Sequence, residues 1–254
     1  MGATSGLVKI LTLNTWQKEG PWQKRWDVIF SGLKTLQPDV VGFQELFDYD
    51  WARDVHKRSG YCEVVFDPAI EGLVFLSQFP VLESKGVQLP TQSLLEDYKR
   101  CALYMKIKAV DEEIACFNTH LSWKLEDEAT REKQAHDLLS FMDESTQGVE
   151  RVLMGDLNAH CDKPEIQIFT EKGRMCDTYA KMHPGDLGYT WNHVHPYVKE
   201  DHGIQYLDRR LDYILTRSQG GILSKVKSAE ILFDKPSADG VYASDHYGYI
   251  VEFG

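Results

Sequence analysis

Polar side chains with catalytic potential follow several short apolar stretches, at the points where those stretches end. They are carboxylates, carboxamides and imidazoles, and they recur at six places: Asn14, Glu45, His120, Asp156 with Asn158, Asp212, and Asp245 with His246. Ligand sites in layered α/β folds lie at strand ends. A buried carboxylate is costly unless it is paired or binds a metal. We therefore expect these six ends to meet in one site.

The chemistry that suits this set is hydrolysis of a phosphate ester. The oxygens of Glu45, Asp245 and the Asn14 carboxamide are hard ligands of the kind that Mg²⁺ or Mn²⁺ prefers. Such an ion would neutralise phosphate charge and polarise P–O bonds. Asp156 and Asn158 are two residues apart, so a strand points both side chains to one face. There Asp156 could take a proton from water while Asn158 orients it.

Asp212 and His246 form the second expected pair. A carboxylate that accepts one imidazole N–H fixes the tautomer of the ring and favours its charged form. Both residues stand beside apolar stretches, in RRLDYIL and SDHYGYIVEF. We expect Asp212 to orient His246 in this way.

The elements that must position these groups are short strands with few helices. Ten stretches rich in Val, Ile, Leu and aromatic residues predict strands: VKILTLNT, DVVGFQEL, CEVVF, GLVFLS, CALYMKIKAV, IACFNTHL, RVLMGDL, LDYILT, SAEILF and HYGYIVEF. Apolar residues at three- and four-residue steps predict helices over 22–36 and 126–144. This order favours two packed mixed sheets with helices outside. No boundary divides the chain, so we expect residues 1–254 to form one domain.

The motifs LTLNTW, QEL, THLSW, GDLNA, LDYIL and SDH, in this order, resemble the endonuclease/exonuclease/phosphatase superfamily, which has the fold of deoxyribonuclease I. The resemblance runs from Asn14 to His246. It implies a four-layered α/β sandwich, with two packed, largely antiparallel sheets and a cleft at one edge. Its members include AP endonucleases, neutral sphingomyelinases, inositol polyphosphate 5-phosphatases and poly(A) deadenylases.

The resemblance also implies roles for the motif residues. Glu45 matches the acidic metal ligand, and Asn14 matches the amide beside metal and phosphate. Asp156 and Asn158 match the pair that positions the attacking water. Asp245 and His246 match the terminal acid and histidine, and Asp212 matches the residue that orients this histidine. Either Asp156 or His246 could be the base; we favour Asp156, with His246 holding a phosphate oxygen.

His120 and the TWNH segment extend the predicted site. His120 resembles the histidine of the deoxyribonuclease, sphingomyelinase and 5-phosphatase branches, whereas AP endonucleases have a tyrosine there. It could donate a hydrogen bond to the phosphate or help to protonate the leaving oxygen. Asn192 could bind a phosphate oxygen. Trp191 could form a wall of the cleft or fill the core, and His160, His195 and His202 are expected in solvated loops.

The charge balance bears on the substrate. The 254 residues contain 28 Lys and Arg against 39 Asp and Glu, a net charge of −11. Bulk electrostatic binding of DNA usually needs a basic surface, so we favour a small phosphoester. Three alternatives stay open: a sphingomyelinase-like phospholipid phosphodiesterase, a non-catalytic binding module of the same fold, and a nuclease that uses a local basic strip of Lys18, Lys24, Arg25 and Lys124.

The remaining expectations concern the setting of the protein. The sequence has no targeting signal and no apolar run of about 18 residues, so we expect no integral membrane association. Five cysteines stand singly, without a CxxC pair, which argues against a disulfide framework or a zinc site. We expect a monomer in the cytoplasm.

Overall fold

The structure, a computed structural model, describes residues 7–146, 150–202 and 208–254, and only the backbone of residues 200–202. Its strands are β1 (Val8–Asn14), β2 (Val40–Gln44), β3 (Glu63–Val65), β4 (Val74–Ser77), β5 (Val81–Gln88), β6 (Cys101–Ala109), β7 (Glu112–His120), β8 (Glu150–Asp156), β9 (Cys176–Asp177), β10 (Asp212–Arg217), β11 (Val226–Leu232) and β12 (Gly248–Phe253). They form two six-stranded sheets, in the orders β11-β12-β1-β2-β4-β3 and β5-β6-β7-β8-β10-β9.

Within the described ranges, six α-helices and three short turns of other helix types lie among these strands. The α-helices are α1 (Trp22–Leu36), α2 (Tyr49–Ser59), α3 (Glu128–Ser145), α4 (Pro164–Gln167), α5 (Thr178–Met182) and α6 (Pro196–His202). Leu125–Asp127 and Ile222–Ser224 form 3₁₀ turns, and Ile168–Lys172 forms a π-helical turn.

The elements stack in four layers, which confirms the expected α/β sandwich. Between the sheets, buried side chains of the first sheet, such as Ile10 and Phe75, share a core with Leu103 and Met105 of the second. On the outer face of the first sheet, α1 and α2 pack over β1, β2 and β4. On the outer face of the second, α3 packs over β6, β7 and β8. Each large apolar side chain buried in this way contributes about 1.5–3 kcal/mol.

The two predicted helices are confirmed, the first with the predicted bounds and the second with shifts of one or two residues at its ends. In α1, Trp26, Ile29 and Leu33 recur at three- and four-residue steps and are buried. The helix ends at Gln37, whose left-handed backbone (φ 49°) lets its N–H bind the Leu33 carbonyl, and Pro38 prevents continuation. The α3 helix starts at Glu128, two residues later than predicted, because residues 125–127 form a 3₁₀ turn.

The connections between strands explain how motifs that are distant in the sequence reach the same edge of the sheets. Strands β1 and β2 are parallel and joined through α1, and β7 and β8 are parallel and joined through α3. Parallel neighbours end at the same edge of a sheet, which the crossover helix makes possible. Strand β12 runs antiparallel to β1, so the segment before β12 also lies at that edge.

Two further features concern membranes and thiols. No helix in the described ranges is long and apolar enough to cross a membrane. All five cysteines carry free thiols.

Candidate active site

The register of the sheets brings the predicted residues together. Asn14 at the end of β1 is opposite Gln44, the residue before Glu45. In the second sheet, His120 at the end of β7 is opposite Asp156 at the end of β8. Asp156 is also opposite Asp212 at the start of β10. Strand pairing alone therefore places these groups side by side.

Gly155 permits the close approach of β7 and β8 at this edge. Its φ is +138°, and a Cβ atom there would lie 2.0 Å from the carbonyl oxygen of Thr119. A side chain would therefore force apart the two strands that carry His120 and Asp156. This close packing gives a physical reason for the glycine of the GDLN motif.

Asn14 links the two sheets at the site. Its Nδ2 donates to Glu45 Oε1 at 3.2 Å and to Asp156 Oδ2 at 3.1 Å. Its Oδ1 accepts the backbone N–H of Trp16 at 3.0 Å. Asn14 is 1% exposed, so its carboxamide is fixed in one orientation between the two acids.

Glu45 combines an unusual backbone conformation with an unfavourable environment for its negative charge. Its backbone lies in the left-handed region (φ 59°), which is unusual for a residue other than glycine. Burial and the nearby charge of Asp245 raise the pKa of Glu45 to about 7, although His246 and the Asn14 hydrogen bond lower it. A cation placed beside this acid would relieve the repulsion.

Asp212 and His246 form the predicted pair. His246 Nδ1 lies 2.9 Å from Asp212 Oδ2, and both side chains are buried. Burial by itself lowers the pKa of His246, but the charges of Asp212, Asp156 and Asp245 outweigh it and raise the pKa to about 10. His246 is therefore a cation at neutral pH.

The surroundings of Asp156 raise the pKa of its carboxyl group. Burial, followed by repulsion from Asp212, raises its pKa to about 6, against the lowering effect of His246. Its Oδ1 accepts the N–H of Asn158 at 2.9 Å. Asn158 has φ 49° and donates its Nδ2 to the Leu121 carbonyl, which fixes its carboxamide. A carboxylate with a pKa near the operating pH is suited to accept a proton.

His120 differs from His246 in charge state. Its Nε2 lies 3.5 Å from Asp156 Oδ2, and its Nδ1 lies 4.0 Å from Glu45 Oε1. Burial, with the positive charges of Arg100 and His246, holds its pKa well below the ordinary value. His120 is therefore neutral at pH 7 and can donate one hydrogen bond.

These groups surround a cavity of about 250 Å³. Eight of the ten predicted residues line it: Asn14, Glu45, His120, Asp156, Asn158, Trp191, Asp245 and His246. Asp212 lies behind His246 and is fully buried. Asn192 is not among the lining residues, and its Oδ1 accepts the N–H of Val194. Its predicted contact with phosphate has no support from this geometry.

The cavity also contains side chains that the sequence reasoning missed. Aromatic rings from four separate segments line it: Trp16, Phe47, Tyr98 and Trp123. The Phe47 and Tyr98 rings stack at 5.3 Å. Two arginines, Arg100 and Arg209, also line the cavity. These residues lie in loops, whose course no local sequence pattern predicts. What the sequence offered was their position close to the strand-end motifs.

The structure corrects two expectations for residues near the site and decides a third that was left open. Arg25, a candidate DNA contact, is 0% exposed, because its guanidinium binds backbone carbonyls. His195, expected in a solvated loop, is 1% exposed and packs against Tyr242 at 4.3 Å. Trp191, for which two positions were open, is 4% exposed and yet lines the cavity, with the Arg209 guanidinium 4.9 Å from its ring. The side chain of His202 lies outside the described residues.

Two sets of residues could hold a metal ion. Asp156, Asp212 and His246 can bring one ligand atom each within 4.8 Å of one another. However, Asp212 Oδ2 accepts from His246 Nδ1, and the raised pKa of His246 keeps Nε2 protonated as well, so neither ring nitrogen has a free lone pair for a metal. The oxygens of Glu45, Asp245 and Asn14 form the set whose chemistry fits Mg²⁺ or Mn²⁺.

Comparisons with solved structures agree with this architecture. Danio rerio TDP2 complexed with a single-strand DNA product has 20% identity and a TM-score of 0.80, over 98% of this chain and 99% of that chain. Truncated Caenorhabditis elegans TDP2 has 18% identity and a TM-score of 0.78, over 97% of each chain. Bacteroides thetaiotaomicron mannosyl-6-phosphatase has 21% identity and a TM-score of 0.78, over 97% of this chain and 99% of that chain. At these identities the likeness concerns the fold.

Sequence comparison is more specific about the family. No curated protein sequence matched the chain. The profile of the Endonuclease/Exonuclease/phosphatase family matches residues 11–246, a range that contains every strand-end motif described above. Because the match covers most of the chain and the motif residues meet at one cavity, the protein belongs to the Endonuclease/Exonuclease/phosphatase family.

Proposed function

We propose that the protein is a divalent-metal-dependent phosphoesterase, which hydrolyses a phosphodiester or phosphomonoester by in-line attack of an activated water. The observation that carries this proposal is the convergence of three acids, Glu45, Asp156 and Asp245, with a cationic and a neutral histidine around one cavity. Membership of the family supports it. We also propose that residues 1–254 form a single domain.

Glu45, Asp245 and the Oδ1 of Asn14 would hold Mg²⁺ or Mn²⁺. The donors fit because all are hard oxygens, and because burial and then repulsion from Asp245 raise the pKa of Glu45, effects that a bound cation would oppose. The Asn14 oxygen has two lone pairs, of which Trp16 uses one. The bound ion would supply neutralisation of phosphate charge and polarisation of P–O bonds.

Asp156 is the proposed base. Its pKa of about 6 leaves it mostly ionised at neutral pH yet basic enough to accept a proton from water. His246 is a poor candidate for this role, because its raised pKa keeps it protonated. We assign His246 to donate from Nε2 to a phosphate oxygen, with Asp212 holding its Nδ1. Asn158 orients the water.

His120 donates a hydrogen bond to the phosphate in this scheme. Its lowered pKa makes it neutral, so transfer of a proton to the leaving oxygen is the less favoured of its two predicted roles. Its Nε2 is 3.5 Å from Asp156, so a phosphate that accepts from His120 would lie next to the proposed base.

A small phosphoester is the favoured substrate. The cavity is about 250 Å³, and Arg100 and Arg209 place positive charge in its lining, whereas the protein as a whole has a net charge of −11. The structural relative described as a mannosyl-6-phosphatase is consistent with a small substrate. Nucleic acid is the second candidate: aromatic side chains in the lining suit stacking of bases, and one relative holds a single-strand DNA product.

A substrate panel tests the proposal. Phosphomonoesters, phosphodiesters, sphingomyelin, and single- and double-stranded DNA are each incubated with Mg²⁺, Mn²⁺ or EDTA. Hydrolysis of at least one phosphoester with Mg²⁺ or Mn²⁺, abolished by EDTA and by Asp156→Asn, is expected. Asp111→Asn is the matched control, since Asp111 is exposed in the turn between β6 and β7, at the end of β7 away from His120. Full activity in EDTA would contradict the proposal.

A further inference from the structure

Arg25 is buried in α1 and uses every N–H of its guanidinium. The side chain is 0% exposed. An arginine side chain has five N–H donors, and each of the five makes one hydrogen bond here, at 2.8–3.1 Å, to a backbone carbonyl. The acceptors are the carbonyls of Thr15, Trp16, Gln17, Glu19 and Ala243.

Four of these acceptors belong to the loop that follows Asn14. This loop has an unusual backbone, because Trp16 and Gln17 both have positive φ (50° and 47°). Consecutive left-handed residues other than glycine are unfavourable and persist only where surrounding structure holds them. The loop carbonyls turn towards Arg25, and the guanidinium also lies 4.8 Å from the centre of the Trp16 ring. Without a donor at this position, the carbonyls of Thr15 and Ala243, which belong to fully buried residues, would lose this hydrogen bond.

The loop connects Arg25 to the proposed metal ligands. The N–H of Trp16 donates to Asn14 Oδ1, and Asn14 Nδ2 donates to Glu45 and Asp156. The orientation of the Asn14 carboxamide thus depends on a loop that Arg25 holds. The fifth acceptor, Ala243, lies two residues before Asp245, so the same guanidinium ties the Asn14 loop to the segment that carries the second acid.

We propose that Arg25 is a positioning residue, which sets the separation and orientation of Asn14 and Asp245 for divalent-metal binding through its five backbone contacts. The inference rests on the proposed function of those residues. Lysine cannot replace it, because an ammonium group has three donors and lacks the planar fork of the guanidinium. Loss of a group that orients metal ligands typically weakens metal affinity or activity by about 10–100-fold.

The test compares Arg25→Lys with a matched control, Arg151→Lys. Arg151 is also a buried arginine, 3% exposed, bonded to Asp143 and to the Gly173 carbonyl, but it lies at the end of β8 away from Asp156. The measurements are the Mg²⁺ dissociation constant by calorimetry, and kcat and KM across a Mg²⁺ series, all well below each variant's Tm. Hydrogen exchange of the Trp16 amide reports the loop directly. Arg25→Gln serves if Arg25→Lys does not fold.

For Arg25→Lys we expect a Mg²⁺ dissociation constant raised at least about 10-fold, faster exchange at Trp16, and a loss of kcat that high Mg²⁺ partly restores, with KM little changed. Arg151→Lys should lower Tm without changing Mg²⁺ affinity. Wild-type Mg²⁺ affinity and wild-type Trp16 exchange in Arg25→Lys would overturn the inference while leaving the proposed function standing. A wild-type protein without metal-dependent hydrolysis would overturn both.

Discussion

Replacing Glu45 by glutamine should stabilise the metal-free protein while removing its response to metal. Glutamine keeps the shape of the side chain and an oxygen to accept the Asn14 hydrogen bond, but it removes the charge. Since the pKa of Glu45 is raised from 4.5 to about 7 in the folded protein, its contribution to stability is present below pH 4.5 and is lost as the pH rises through about 7. Above that range, the ionised carboxylate destabilises the folded protein.

The size of this destabilisation follows from the shift in the pKa of Glu45. One pKa unit corresponds to about 1.4 kcal/mol, so the shift of Glu45 corresponds to at most about 3 kcal/mol for a side chain that is 18% exposed. For a protein of this size, each kcal/mol moves Tm by about 2–4 °C. At about pH 8 in EDTA we expect Glu45→Gln to raise Tm by up to about 6–12 °C. At about pH 4.5 and below, where the wild-type carboxyl is mostly protonated, the difference should nearly vanish.

The assay is thermal unfolding of both proteins across a pH series, with EDTA or with Mg²⁺. Wild-type protein at about pH 8 should gain about 3 kcal/mol from Mg²⁺ at 100 times its dissociation constant, whereas Glu45→Gln should gain much less. Glu132→Gln, an exposed position on α3, controls for loss of one negative charge. If Glu45→Gln were less stable than the wild type at high pH without metal, the claim of carboxylate repulsion would be refuted.

The other predictions concern the base, the histidine pair and the substrate. Asp156→Asn should keep the fold, because the side chains are nearly isosteric, and lower kcat at least about 100-fold; wild-type kcat in this variant, with activity lost in His246→Ala, would move the base to His246. Asp212→Asn removes the largest charge that raises the pKa of His246 from 6.5 to about 10, so the limb of the pH–kcat profile at which His246 loses its proton should move to lower pH. A limb that stays in place would contradict the pairing. For a small ester, kcat/KM should change only modestly between about 50 and about 200 mM salt, and duplex DNA should bind weakly in Ca²⁺; submicromolar duplex binding with a steep salt dependence would favour a nuclease.

The strands that carry the site were predictable because they are apolar and end in polar residues. Strands β1, β2, β7 and β8 are almost wholly buried, so each stands out as an apolar stretch, and the motif residues mark where it stops. Strand β5 was missed because its residues, VLESKGVQ, are largely exposed at the edge of a sheet. An edge strand pairs with a neighbour on one side only. A largely exposed one needs few apolar side chains, so its sequence shows little apolar pattern.

Helix α2 was missed although the sequence contains its end signals. Asp48 accepts the N–H of Trp51 as the N-cap, and Gly60 ends the helix with a left-handed backbone (φ 74°). Only Ala52 and Val55 are fully buried in it, so the apolar periodicity is weak. Cap residues were the better guide in this segment.

The lining of the cavity could be predicted only in part, because its two kinds of residue have different origins. Strand-end groups such as Glu45 and Asp156 follow from strand register. Trp123 and Arg100 follow from tertiary contacts: Glu96 accepts the N–H of Trp123 at 2.6 Å and also pairs with Arg100 at 2.7 Å. A buried glutamate that joins two loops leaves no periodic pattern in the sequence.

The two histidines show why residue type does not assign a catalytic role. The charges of three acids make His246 a cation, whereas burial, together with the charges of Arg100 and His246, keeps His120 neutral. The same argument applies to the whole cluster. When ionised, Glu45, Asp156, Asp212 and Asp245 carry four negative charges in and behind the cavity, and His246, Arg100 and Arg209 are the cations that line it. Burial of these acids, together with repulsion of Glu45 by Asp245 and of Asp156 by Asp212, raises the pKa values of Glu45 and Asp156. A phosphate, itself an anion, would add to this repulsion, so we expect the proposed divalent cation to favour substrate binding.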